Sequence, residues 1–316
     1  MTKNKFLNRL KAKKRIVYNK LLLYAKTHKF PGSGGKSVNE VLNLLIEGFR
    51  NSVLAIRASA LSFKLMMAAI PALILVNTVI PLLLPDESKY LLMEILGTFL
   101  PEQIFLSIAD PVSEVASGAV GSVISVTAIV AFYFAVNSMR ACIAIFNNSY
   151  HVKENRPLLK QFTVALLLVC ILLLVVIVSV PVFFLNQKVI SWLIGNNVLS
   201  SFWSTGIVFI IKYVFFFLFV SVILTAIYFV APAKKHRFYL FSPGTALAAL
   251  LIVIASVGFD FFINEFTRYK EIYGGISALF ILMLYIFIVS MIMLIGFEIN
   301  AALYFGKEKT TSEIKI

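Results

Sequence analysis

Acidic residues are scarce in this chain: 15 Asp and Glu stand against 29 Lys and Arg, a formal net charge of +14. Only three histidines occur, His28, His151 and His236, in separate segments and in no metal-ligand spacing. The two cysteines, Cys142 and Cys170, both fall inside expected membrane spans. There a thiol behaves as a small hydrophobe, and nothing points to a disulfide. No loop pairs carboxylates at catalytic spacing, and no Gly-x-Ser-x-Gly elbow is present. A metal-dependent nuclease needs several clustered carboxylates or imidazoles to hold its ions, and the segments expected on the cytoplasmic side supply no such cluster. Gly35-Lys36-Ser37 imitates the end of a phosphate-binding loop, but Phe30 stands where that motif begins with glycine. These shortages point away from an enzyme and call for no cofactor and no metal.

Apolar length is what the chain has in abundance. Hydrophobic residues make up 60% of it, and the mean hydropathy is +0.91. Six runs stand out, at 65–84, 119–136, 162–185, 213–231, 244–259 and 274–297. Crossing a hydrocarbon core of about 30 Å takes about 20 helical residues. Most of the runs suffice alone, and the fifth does when 238–263 is counted. The expected fold is all-α: a polytopic membrane protein with six transmembrane helices. Its domains are a basic tail with a Gly-rich linker (1–36), the membrane domain (37–305) and a short C-terminal tail (306–316).

The basic residues orient these spans. The tail through Arg57, the segments 147–160 and 232–241 and the C-terminal tail together hold 22 of the 29 Lys and Arg. The opposite side holds four: Lys89, Lys188, Arg268 and Lys270. Such a bias in short loops places both termini in the cytoplasm. The positive charge therefore reads as a rim facing anionic membrane lipids, not as a nucleic-acid surface. Leu7, Leu10, Val17, Leu21 and Tyr24 approximate one helical face among basic residues, as in a helix lying on a membrane. A basic tail that only sets topology fits the same residues. The first 30 residues are too basic, and too interrupted in their apolar content, for a cleavable signal peptide. Ser37 and Glu40 form a capping box that opens an amphipathic helix before the first span. Short interfacial helices are expected in the longest outer segment, 85–118.

Charges and amides inside spans are costly and are therefore functional candidates. Lys64 lies seven residues past Arg57 and Arg140 seven before Asn147, which puts both roughly 10 Å into the membrane. Glu298 and Asn300 fall near the same level, and Asn137 shares a face with Arg140. Two arrangements are open. The cations snorkel to the headgroups, or one pairs with Glu298 to lock the bundle. Alternatively they line an inward-facing cavity and engage an anionic substrate such as a lipid phosphate. Asp260 lies between Ser256 and Asn264 on a polar stripe of the fifth helix, as a hydrated rim carboxylate or as a substrate contact in an outward crevice. Gly244 and Ala248 on the same helix are close-packing positions.

Several strings taken together carry a resemblance. Arg57-Ala58-Ser59-Ala60-Leu61-Ser62-Phe63 leads to Ile70-Pro71. Arg140, Phe146-Asn147 and Glu154-Asn155-Arg156-Pro157 follow. Then come Ser242-Pro243-Gly244-Thr245-Ala246, Tyr273-Gly274-Gly275-Ile276 and Gly296-Phe297-Glu298-Ile299-Asn300-Ala301. In this order they resemble the YihY/BrkB family of bacterial inner-membrane proteins. The resemblance implies a six-helix, multi-pass protein of the inner membrane. The family has carried the labels ribonuclease BN, serum-resistance factor and transporter. Lys64 departs from the family pattern, where an uncharged residue is expected, whereas Arg140, Glu298 and Asn300 match it. The reading that follows is a transporter or handler of an anionic lipid or another amphipathic envelope component. A scaffold that binds partners through its basic tail is the alternative.

Overall fold

The computed structural model describes residues 52–83, 121–148, 154–195, 201–233, 242–265 and 275–305, with Ser37, Asn39, Glu40, Asn43, Gly97 and Phe105. Six long helices make up nearly all of this: α1 (Ser52–Leu83), α2 (Gly121–Asn147), α3 (Leu158–Gly195), α4 (Ser201–Val230), α5 (Pro243–Glu265) and α6 (Gly275–Phe305). No β-strand occurs among the described residues. Each expected run lies largely within one helix, but the helices outreach the runs. α1 begins upstream of Arg57 and continues through Pro71, and α3 continues through Pro181 and takes in Lys188. Stretches long and apolar enough to cross a membrane lie in α2 (Ala128–Asn147), α3 (Leu158–Ser179), α4 (Ile210–Val230) and α6 (Phe280–Ala301). α5 holds a shorter apolar stretch, Pro243–Phe259.

The helices form a closed ring in chain order, each packed on its neighbours, with α6 returning to α1. Neighbours run antiparallel. The starts of α1, α3 and α5 therefore meet the ends of α2, α4 and α6 at one end of the bundle, where Arg57 reaches Ile145 and Asn147 reaches Ala231. At that end three aromatic rings fill the centre. Phe146 of α2 lies 5.2 Å from Phe297 of α6, which lies 5.9 Å from Tyr228 of α4. The Tyr228 hydroxyl donates to the Met293 carbonyl at 2.6 Å, which pays the polar debt of a phenol in an apolar centre.

The outer surface is apolar. Leu159 is 85% exposed, and Ile56, Ile129 and Phe261 are similarly bare. Water would not tolerate so many such side chains, whereas lipid accommodates them without cost.

Local chemistry explains the helix ends. Ser242 caps α5: its Oγ accepts from Thr245 N at 3.3 Å and lies 2.6 Å from Thr245 Oγ1, with Pro243 at the first helical position. The capping box is formed as expected, with Ser37 N donating to Glu40 Oε2 at 3.0 Å and Glu40 N to Ser37 Oγ at 3.3 Å. The rest of the basic tail, nearly all of 85–118 and the three histidines lie outside the described residues.

Candidate functional site

Two separate polar constructions lie at this end of the bundle, and between them they take five of the six candidate residues, all but Asp260. The first holds the ring together. Glu298 on α6 forms an ion pair with Arg57 of α1 at 2.5 Å. Arg57 also donates from Nη2 to the Ile145 carbonyl of α2 at 3.1 Å, so one guanidinium ties three helices. The expected pairing of Glu298 with Lys64 or Arg140 is therefore replaced. Adjacency removes Arg140, because α1 packs on α6 and α2 does not neighbour it in the ring; level removes Lys64, which stands on α1 with Arg57 but roughly 10 Å further along it. Asn300, two residues further along α6, accepts from Gly244 N at 2.8 Å and donates to Ser242 Oγ at 2.7 Å, which fastens the start of α5 to α6. Neither Glu298 nor Asn300 joins the cations.

Asn147, Glu154 and Arg156 extend this girdle. Asn147 Nδ2 donates to Glu154 Oε2 at 2.6 Å and to the Ala231 carbonyl at 2.9 Å, while its Oδ1 accepts from Ala233 N at 2.9 Å. Arg156 grips both oxygens of Glu154 at 2.8 Å and also reaches the Ala231 carbonyl at 2.7 Å. Burial pushes the Glu154 carboxyl up. The hydrogen bonds and charge of Arg156, with the Asn147 amide, more than offset this and hold it below its ordinary value. The network joins the end of α2, the α2–α3 connection and the end of α4. Sequence reasoning gave these residues no role beyond topology and resemblance. Their signal was that Arg57, Asn147, Glu154 and Arg156 all lie in the strings that carried the resemblance.

The second construction is a cleft of about 480 Å³ between α1, α2 and the start of α3. It brings together Lys64, Asn137 and Arg140, three of the expected site residues, and adds Ser138 and Gln161. Phe63, Met67, Phe134 and Leu158 supply its apolar walls. Its α2 residues Phe134, Asn137, Ser138, Ala141 and Ala144 lie on the face opposite Ala135, Cys142 and Phe146, which are buried in the core. The cleft thus opens away from the aromatic centre. From Ala144 to Phe134 it follows α2 for ten residues, roughly 15 Å. The Lys64 ammonium lies 5.7 Å from the Phe63 ring centroid, a cation–π contact inside the cleft. Among the described residues neither Lys64 nor Arg140 has a carboxylate partner, and the lining contains no Asp or Glu. The arrangement can hold an anion with an apolar portion.

The fifth-helix stripe resolves differently. Ser256 is buried, donating to the Ile252 carbonyl at 2.8 Å and lying 2.8 Å from the Tyr285 hydroxyl of α6. It is a helix–helix contact. The side chains of Asp260 and Asn264 lie outside the described residues. Among the described residues no three His, Cys, Asp or Glu side chains group as a metal site would require.

Comparison with known proteins follows the same strings. Residues 45–314 match the family described as virulence factor BrkB. The chain belongs to this family. A UPF0761 membrane protein of Coxiella burnetii (strain Dugway 5J108-111) is 24% identical over 263 residues, covering 82% of this chain and 91% of the relative. YfkH of Bacillus subtilis (strain 168), named as ribonuclease-like, is 26% identical over 192 residues, 60% of this chain and 68% of the relative. A UPF0761 membrane protein of Vibrio campbellii (strain ATCC BAA-1116) is 39% identical over 77 residues, 24% of each chain. No solved structure matches. The BrkB match covers both the girdle and the cleft, and this BrkB-family chain is an integral membrane protein.

Proposed function

We propose that this BrkB-family protein spans the bacterial inner membrane six times, with both termini cytoplasmic, and transports or handles an anionic lipid or another amphipathic envelope component. The observation that carries the reading is the cleft in which Lys64 and Arg140 face an apolar wall without a carboxylate. A charge held inside a membrane calls for a partner. Arg57 has one in Glu298, and an anionic headgroup would serve Lys64 and Arg140 in the same way. From Ala144 to Phe134 the cleft runs roughly 15 Å along α2, a length that would carry a headgroup inward from the membrane surface in the proposed orientation. The ribonuclease-like name belongs to YfkH; here the cleft offers donors to an anion but neither carboxylate nor imidazole to act as a base.

The test is a lipid-flipping assay on purified protein in liposomes. Wild type should move anionic lipid between leaflets. Arg140→Ala should lower the rate about tenfold or more, and Arg140→Lys should restore it in part, because a point charge lacks the planar fork of guanidinium. Correct insertion and folding of each variant is checked by its gel-filtration profile. Wild-type rates in Arg140→Ala would overturn the reading.

A further inference from the structure

The cleft also specifies which anion. Resting on the reading above, we propose that its occupant is a phosphomonoester lipid whose terminal phosphate is bridged by Lys64 and Arg140, with its hydrocarbon lying along Phe63, Met67 and Phe134. The polar lining consists of these two cations and the neutral Asn137, Ser138 and Gln161. A phosphodiester headgroup brings one negative charge and leaves one cation uncompensated at low dielectric. A terminal phosphate brings about two above its second ionisation and neutralises both.

Oxygen count points the same way. Arg takes two phosphate oxygens with its planar fork, and Lys serves a third as a point charge. A monoester has three free oxygens for this division of labour, and a diester has two. Among the described residues the Lys64 ammonium has its neighbour's ring as a contact, a weaker partner that an incoming phosphate would replace.

The apolar wall fixes where the rest of the molecule goes. Phe63, Met67 and Phe134 are each more than half exposed, and the bare surface continues along α2 through Tyr133, Val130 and Ile129. The cleft is thus continuous with the lipid-facing surface. Only the headgroup needs to fit within about 480 Å³, and the chains remain in the bilayer.

The experiment uses the full chain in nanodiscs of phosphatidylcholine and reads displacement of a fluorescent phosphatidic acid. Unlabelled phosphatidic acid, phosphatidylglycerol and inorganic phosphate are the competitors. Well above the second phosphate ionisation, at about 6, phosphatidic acid should compete about tenfold better than phosphatidylglycerol. Below that pH the preference should shrink towards parity. Lys64→Gln and Arg140→Gln should each abolish the preference, and Lys64→Arg should retain it. Equal competition by the two lipids at every pH, with binding still lost in Arg140→Gln, would overturn the phosphomonoester assignment and leave the anionic-amphipath reading standing. Binding unchanged in both Gln variants would overturn both. Displacement by inorganic phosphate at the concentration effective for phosphatidic acid would make the ligand a soluble phosphate and overturn the lipid assignment.

Discussion

Glu298 selects Arg57 and not Arg140, and the two arginines owe their different fates to that choice. Arg57 is spent on structure: it neutralises a carboxylate and satisfies the Ile145 carbonyl with a side chain that is only 11% exposed. Arg140 keeps its charge available in the cleft. Removing one member of a poorly solvated pair strands the other, which is the costly state. Glu298→Ala should therefore destabilise the protein by on the order of 3 kcal/mol. Arg57→Ala with Glu298→Ala should cost less than the sum of the single changes. Denaturant unfolding in detergent micelles, run as a double-mutant cycle, measures this, and strictly additive losses would show that the pair carries no coupling. Depth from the span ends sufficed to place Lys64 near Arg140. The partner of Glu298 was hidden because ring order excludes Arg140 on α2, and because Glu298 sits at the level of Arg57 and not of Lys64 on α1.

At the scale of elements, α5 and α6 approach closely enough for backbone to touch backbone. A Cβ on Gly244 would run into the Gly296 carbonyl, and one on Gly296 would lie 2.7 Å from Ala248 Cβ, the Gly244 carbonyl and the Tyr228 hydroxyl. Gly296→Ala should thus cost about 1–3 kcal/mol through overpacking. Gly258→Ala, on the same pair of helices but with open space around it, should be neutral or up to about 1 kcal/mol stabilising through helix propensity. Thermal unfolding midpoints of the two variants check the contrast. The α2–α3 connection carries a pH signature. Because the folded Glu154 carboxyl is held below its ordinary value of 4.5, its stabilisation is complete above that value and is lost as pH falls through the lowered one. Acid should therefore lower the unfolding midpoint of wild type more than that of Glu154→Gln. Parallel pH profiles would remove Glu154 from the account. Gly244 and Ala248 were legible as packing positions from size alone. Gly296 as their partner was not, since it lies about fifty residues away in sequence.

For the whole molecule, antiparallel neighbours gather the starts of α1, α3 and α5 and the ends of α2, α4 and α6 at one end. This is also the end from which the most basic connecting segments emerge. A reporter active only in the cytoplasm should work when fused after Ile316 or within 151–156, and should fail within 85–118. Cytoplasmic activity from the 85–118 fusion would reverse the orientation and move the cleft to the outer leaflet.

Sequence alone determined the helical, membrane-embedded class, the approximate position of the six described helices, the Ser37–Glu40 capping box and the pairing in depth of Lys64 with Arg140. These depend on run length, on local hydrogen bonds and on a fixed rise per residue, all of which are local quantities. Tertiary structure decided the closure of α6 on α1, the capture of Glu298 by Arg57, the use of Asn300 to fasten α5 and the turn of Ser256 towards Tyr285. Each depends on which helix stands beside which, and an apolar run carries almost no information about its neighbours: lipid and a packed helix are equally good solvents for it, so close contacts and a few polar side chains decide the order.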